Sequence, residues 1–184
     1  MSNLKNILKT FLLLLASGYL LSCEKVDDLT VNKLAYIDTD YYEMDFSIQT
    51  TDRIGFHIFA EELFSNEINS SLEKAGLSDS KIEAVVLKEA QMSLLEPDKP
   101  ADFDIMDFIE LTVYTDTLGE SKIAWSNPVP ADQSTITLDL TEDDILPYFN
   151  ENLFVITAQG YLKERVYEVM KLHARVKFQV KLNL

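Results

Sequence analysis

Cysteine, glycine, histidine and basic residues are all scarce in this chain, and each shortage removes a class of function. The 184 residues contain one cysteine, two histidines, one tryptophan, five glycines and five prolines. With Cys23 alone, no disulfide can form within one molecule. Five glycines leave little room for a phosphate-cradling loop, and no Gly-x-Ser-x-Gly elbow is present. His57 and His173 lie far apart in the chain, each on the polar phase of its segment, with no His-Glu-x-x-His spacing to suggest zinc. Carboxylates are so abundant that a pair at glycosidase spacing carries no information. No catalytic residue emerges, and the chain is not expected to be an enzyme. Lys and Arg number 16 against 31 Asp and Glu, a formal charge of −15. This excess repels nucleic-acid phosphates and anionic lipid surfaces, and favours a partner with basic or neutral surfaces.

What is present begins at the N-terminus. Lys5 and Lys9 precede the apolar run Phe11–Ala16, and Leu20-Leu21-Ser22-Cys23 follows. A basic start, an apolar stretch too short for a bilayer span of about 20 residues, and a small residue before the cut describe a secretory signal peptide. Leu20-Leu21-Ser22-Cys23 resembles the lipobox of bacterial lipoproteins. The resemblance implies cleavage before Cys23 and acylation of its thiol, which accounts for a lone cysteine in an exported chain. The next residues, Glu24-Lys25-Val26-Asp27-Asp28, resemble the acidic export tag of Bacteroidota outer-membrane and surface lipoproteins. The implied location is the outer membrane, facing the cell surface or, alternatively, the periplasm. The expected organisation is a signal peptide at 1–22, a lipidated tether at 23–33, and one domain at 34–184. The lipid would be the membrane contact and another envelope protein the partner.

The domain reads as mainly β. Leu172, Ala174, Val176, Phe178, Val180, Leu182 and Leu184 alternate with polar residues, which places one apolar face along a long strand. Met44–Ile48 and Ile54–Ile58 alternate on either side of Thr50–Arg53 and read as a hairpin. Residues 81–95 read as a strand with an irregularity at Lys88-Glu89. Ile109–Val113 and Ser121–Ser126 read as a second hairpin, Ile136–Leu140 as a further strand, and Leu153–Ala158 as a strand apolar on both faces. The spacing of Phe64, Ile68, Leu72 and Ala75 predicts a helix around 61–75, closed by Gly76 with Leu77 folding back on Leu72. A helical turn is expected near Thr141–Asp144, cut short by Pro147. Together these predict an antiparallel β-sandwich, immunoglobulin-like or related, with one inserted helix. A sheet curled around a helix and an elongated lipid-transfer fold are the alternatives.

Three sets of residues stand out as candidates for binding. Lys171, His173, Arg175, Lys177 and Lys181 share the polar phase of the last strand, and read either as cross-strand partners of acids or as a docking stripe. Tyr36, Tyr41, Tyr42, Trp125, Tyr148 and Phe149 are candidate sugar-stacking platforms, and Trp125, Tyr41 and Tyr42 are the residues expected to form a glycan-binding surface. Asp98, Asp102, Asp104 and Asp107 form the acidic stretch with most resemblance to a calcium site, with Asp38, Asp40 and Glu43 behind it. The spacing lacks the EF-hand glycine, a solvated loop explains the acids, and no cofactor is expected. The functional expectation is a non-enzymatic interaction or accessory subunit of an envelope assembly. A surface glycan-binding module and a lipid carrier are the alternatives.

The terminal cysteine gives the first test. Each buried CH₂ of an acyl chain adds about 0.8 kcal/mol of membrane affinity. Cys23→Ala expressed in the native host is expected to retain residues 1–22 and to lose acyl mass, both read by intact-mass spectrometry.

Overall fold

A computed structural model describes residues 34–77, 81–96 and 103–183. The signal segment, Cys23 and the tether lie outside the described residues. In chain order the strands are β1 (Leu34–Asp38), β2 (Tyr42–Ile48), β3 (Gly55–Ser65), β4 (Lys81–Leu94), β5 (Met106–Thr115), β6 (Gly119–Ser126), β7 (Thr135–Thr137), β8 (Asp139–Leu140), β9 (Leu153–Leu162) and β10 (Met170–Asn183). Helix α1 (Ile68–Lys74) follows β3, and the single-turn helix α2 (Leu146–Phe149) follows β8.

The strands form two antiparallel five-stranded sheets packed face to face as a β-sandwich. The first sheet runs β1-β10-β4-β7, with β2 sharing an edge of β10 with β1. The second runs β3-β9-β5-β6-β8. Strand β10 organises the first sheet. β4 pairs along nearly all of one side, while β2 covers Met170–Val176 and β1 covers Gln179–Asn183 on the other. Thr39 fills the gap between β1 and β2: its N–H donates to Phe178 O at 2.9 Å, and its hydroxyl accepts from Phe178 N–H at 3.1 Å. The expected irregularity in β4 is a register shift that leaves Lys88 unopposed between Glu89 and Leu87.

The period-two residues of β10 from Leu172 to Leu182 are all buried. They meet Ile109, Leu111 and Val113 of β5 and Phe154, Ile156 and Ala158 of β9 within one continuous core. Tyr42 of β2 sits at its aromatic centre. Its ring lies 5.4 Å from Phe178, 5.5 Å from Phe64 and 5.5 Å from Phe154, so it joins both sheets. The interstice bounded by Tyr42, Met44, Phe64, Leu111 and Val176 admits no water-sized molecule.

Several local expectations are corrected. Met44–Ile48 and Ile54–Ile58 are not a hairpin, because β2 pairs with β10 and β3 with β9, so the Thr50–Arg53 connection crosses between sheets. The helix is confined to Ile68–Lys74. Residues 61–65 extend β3 instead, because Glu61–Ser65 find a full ladder on Leu153–Thr157. Five consecutive cross-strand pairs outweigh the modest helix preference of Glu-Glu-Leu. The helix ends as expected: Gly76 takes φ +70° and Leu77 N–H donates to Leu72 O at 2.9 Å. Residues 141–145 are not helical. Pro147 sits inside the first turn of α2, where its missing N–H costs nothing, rather than ending a helix. The Ile136–Leu140 segment is divided, β7 joining β4 and β8 joining β6.

Gly160 marks the tightest backbone approach. A Cβ there would collide with the carbonyl oxygen of Phe108 and come within 3.1 Å of the Phe59 ring. Overpacking of this kind costs about 1–3 kcal/mol. Gly160→Ala is expected to lower the denaturant midpoint accordingly, without changing the slope of the transition.

Candidate functional site

The outer face of the first sheet holds the basic stripe, and each of its five side chains has a partner there. Lys171 Nζ lies 2.9 Å from Glu96 Oε1, His173 Nδ1 2.7 Å from Asp45 Oδ1, and Lys181 Nζ 3.1 Å from Glu83 Oε2. Arg175 donates to Gln91 Oε1 from Nε at 3.1 Å and from Nη2 at 2.6 Å. Arg175 and Lys177 both lie over the ring of Tyr41, at 4.7 and 4.0 Å from its centre, while Tyr41 OH donates to Glu89 Oε2 at 2.7 Å. Lys88 Nζ sits 2.5 Å from Asp38 Oδ2, and that hydrogen bond holds the Asp38 carboxyl below its ordinary pKa. The register places Asp45 opposite His173 and Gln91 opposite Arg175, while Glu83 and Lys88 stand at the two bulges of β4.

The aromatic candidates divide. Tyr42 is a core residue at 7% exposure and offers no ring face to a sugar, because the even phase of β2 points inward. The Tyr41 ring is occupied by two cations. Trp125 is half-buried on the outer face of the second sheet, opposite Glu110, with Lys122 Nζ 4.9 Å from its ring centre. Of the acidic stretch, Asp98 and Asp102 lie outside the described residues. Asp104 Oδ1 accepts from Asp132 N–H at 3.0 Å, and Asp107 is exposed. Among the described residues no group of three His, Cys, Asp or Glu has metal-holding geometry.

The outer face of the second sheet has a different character. Registers across β3, β9, β5 and β6 place Phe56, Tyr161 and Phe108 in one row, then Ile58, Gln159, Glu110 and Trp125. Glu61, Thr157, Thr112 and Lys122 form the third row, and Leu63, Val155, Tyr114 and Glu120 the fourth. Phe56, Ile58 and Leu63 are 55%, 58% and 60% exposed, and Leu153, Tyr114 and Tyr161 are also exposed. Most of the large apolar side chains exposed among the described residues lie on this face or at its margin. Isolated exposed apolar residues need no explanation, but a contiguous set marks an interaction surface.

This face also corrects two readings. The apolar phase Phe56–Ile58 of β3 points to solvent, and Phe59 turns inward over Gly160. A bulge at Phe59 then reverses the phase, so that Glu61 and Leu63 continue the outer face while Phe64 joins the core. The two-sided apolarity of β9 comes from an inner core face and this open outer one, not from cover on both sides. Between β3, β9 and β5 the surface dips into a basin of about 370 Å³ lined by Ile58, Glu61, Leu63, Tyr114, Glu120, Val155, Thr157 and Gln159. On its floor, Thr112 donates to Glu120 Oε1 at 2.7 Å. Gln159 Nε2 donates to Glu110 Oε1 at 2.9 Å and to Glu120 Oε1 at 3.3 Å. The one signal in the sequence was the anomalous apolarity of β3 and β9. The floor residues come from three strands and share no motif.

No family model and no curated protein matches the chain. Among solved structures it is similar to a chain of Cocksfoot mottle virus, with 10% identity, a TM-score of 0.25, and coverage of 81% of this chain and 85% of that one.

The Asp38–Lys88 pair generates a pH prediction. A carboxyl whose folded pKa is depressed adds stability above its unfolded value and loses it as pH falls through the folded one. Asp38→Asn is therefore expected to lose less stability than the parent chain between pH 5 and pH 2, in the window below about pH 4, as read from denaturant midpoints.

Proposed function

We propose that this chain is a lipid-anchored outer-membrane lipoprotein whose β-sandwich acts without catalysis, as an interaction or accessory subunit of an envelope assembly. The observation that carries the docking role is the open apolar face of the second sheet around Phe56, Ile58, Leu63 and Tyr161. Exposed apolar side chains clustered about a concavity release ordered water when a partner covers them, at roughly 25 cal/mol per Å². On the opposite face Lys171 and Lys181 are already paired with acids, and Arg175 and Lys177 lie over the Tyr41 ring, so that face has less to gain from a partner. The anchor and the cell-surface location rest on the lipobox and the acidic tag. A tail that holds the protein in the membrane raises its effective concentration near a membrane-bound partner, so a modest docking surface suffices.

The lipid-carrier alternative requires an apolar cavity between the sheets, and the interstice around Tyr42 and Val176 is too small for water. The glycan alternative depends on free aromatic faces; Tyr42 and Tyr41 supply none, and Trp125 is half-buried with Lys122 over its ring.

The test is co-purification from detergent-solubilised membranes of the native host. The parent chain is expected to recover a defined envelope protein. The double variant Ile58→Glu, Leu63→Glu is expected to lose it while keeping the parent's thermal midpoint within a few degrees. Recovery of the protein alone, with an unchanged envelope on deletion, would overturn the reading. Protease treatment of intact cells is expected to degrade the anchored domain, whereas a periplasm-facing protein would survive.

A further inference from the structure

We infer that the basin on the outer face of the second sheet receives an arginine side chain carried by a segment of a partner protein. The inference rests on the docking reading and names its anchor.

The charge on the two sheets is divided unevenly. Among the described residues, the strands of the first sheet carry Lys81, Lys88, Lys171, Arg175, Lys177 and Lys181. Those of the second carry one Lys or Arg, Lys122, and it lies over Trp125. Glu61 and Glu120 line the basin, and Glu110 stands beside it, tied in by Gln159. None of the three has a basic partner among the described residues. Like charges gathered on one face without counter-charge are unfavourable, and an incoming cation relieves that cost.

A second observation is independent of the carboxylates. Thr157 lines the basin at 5% exposure, and its hydroxyl has no hydrogen-bond partner among the described residues. Gln159, 8% exposed, commits its amide nitrogen to two glutamates. That leaves its Oε1 as an acceptor without a donor. Neither atom is sealed from water in the basin, and each has acceptor capacity that suits a ligand bringing donors.

The basin therefore offers acceptors at several points: the Glu61 and Glu120 carboxylates, Gln159 Oε1 and the Thr157 hydroxyl. Its walls are apolar, from Ile58, Leu63 and Val155, with the ring of Tyr114 at one side. Guanidinium fits this chemistry. It is planar, carries five N–H donors and no acceptor, is weakly hydrated, and packs against aromatic faces while its methylene stem lies on apolar walls. An ammonium is a compact and strongly hydrated point charge, and uses such walls less well. A second copy of this chain would bring its own carboxylates to the same face. An anionic lipid or nucleic acid would be repelled.

The probe is the peptide acetyl-Thr-Val-Arg-Val-Thr-amide, titrated into the full lipidated chain in neutral detergent micelles and followed by NMR at the Thr157 and Gln159 amides. Citrulline keeps the shape of arginine and removes its charge, and lysine keeps the charge and removes the fork. The arginine peptide is expected to give saturable shifts, at least tenfold tighter than either counterpart. Glu61→Gln with Glu120→Gln is expected to weaken it at least tenfold, while Lys181→Ala on the opposite face leaves it unchanged. Equal binding of the citrulline or lysine peptide would overturn the assignment, as would binding indifferent to the glutamine substitutions. Failure of the arginine peptide, alongside loss of the envelope protein from the Ile58→Glu, Leu63→Glu chain, would remove this occupant and leave the docking surface standing.

Discussion

Strands β1, β2 and β4 are all hydrogen-bonded to β10, and β10 can hold them only while its apolar phase points at the second sheet. The side chains from Leu172 to Leu182 alternate without a break, and each inward one is buried. At about 1.5–3 kcal/mol for a fully buried aliphatic or aromatic side chain, this one face contributes on the scale of a domain's whole net stability of 5–15 kcal/mol. A slip of one residue would send all of it to water and drive the intervening cations into the core. The register is therefore strongly enforced, and the position of every charge on the outer face follows from it.

That constraint explains why the basic stripe is not left bare. Once β10 is held between β4 and the β1–β2 pair, its outward residues stand beside Glu89 and Gln91 on one side and Glu43 and Asp45 on the other. The pairing needs no long-range search by flexible side chains. Thr39 completes the arrangement, because the break between β1 and β2 would otherwise leave the amide of Phe178 unpaired.

The two sheets thus divide the work. The first is a surface on which the basic stripe is engaged by carboxylates, by Gln91 and by the Tyr41 ring. The second turns apolar side chains and unpaired acceptors to solvent around a shallow basin. In an antiparallel sandwich both outer faces are ordinarily polar. The departure is local to β3, β9 and β5. The Phe59 bulge and Gly160 belong to the same device: the bulge turns Phe59 inward and reverses the phase of β3, and the missing Cβ makes room for the ring.

The linear chain by itself determined the β-sandwich class, the inserted helix with its glycine cap, the irregularity at Lys88, the β5–β6 hairpin and the face of β10. These depend on period, caps and neighbours a few residues away, which a sequence displays openly. Only the tertiary structure decided which strands share a sheet, and therefore that Met44–Ile48 and Ile54–Ile58 part company. The same is true of the fate of residues 61–65, where pairing with β9 outweighed helical spacing. Tyr42 reads equally well as an exposed platform or a core ring until its strand is placed. Apolar residues at Phe56, Ile58 and Leu63 look like core because burial is the ordinary fate of such residues. Their exposure follows from a single extra residue at Phe59 and from partners about a hundred positions away.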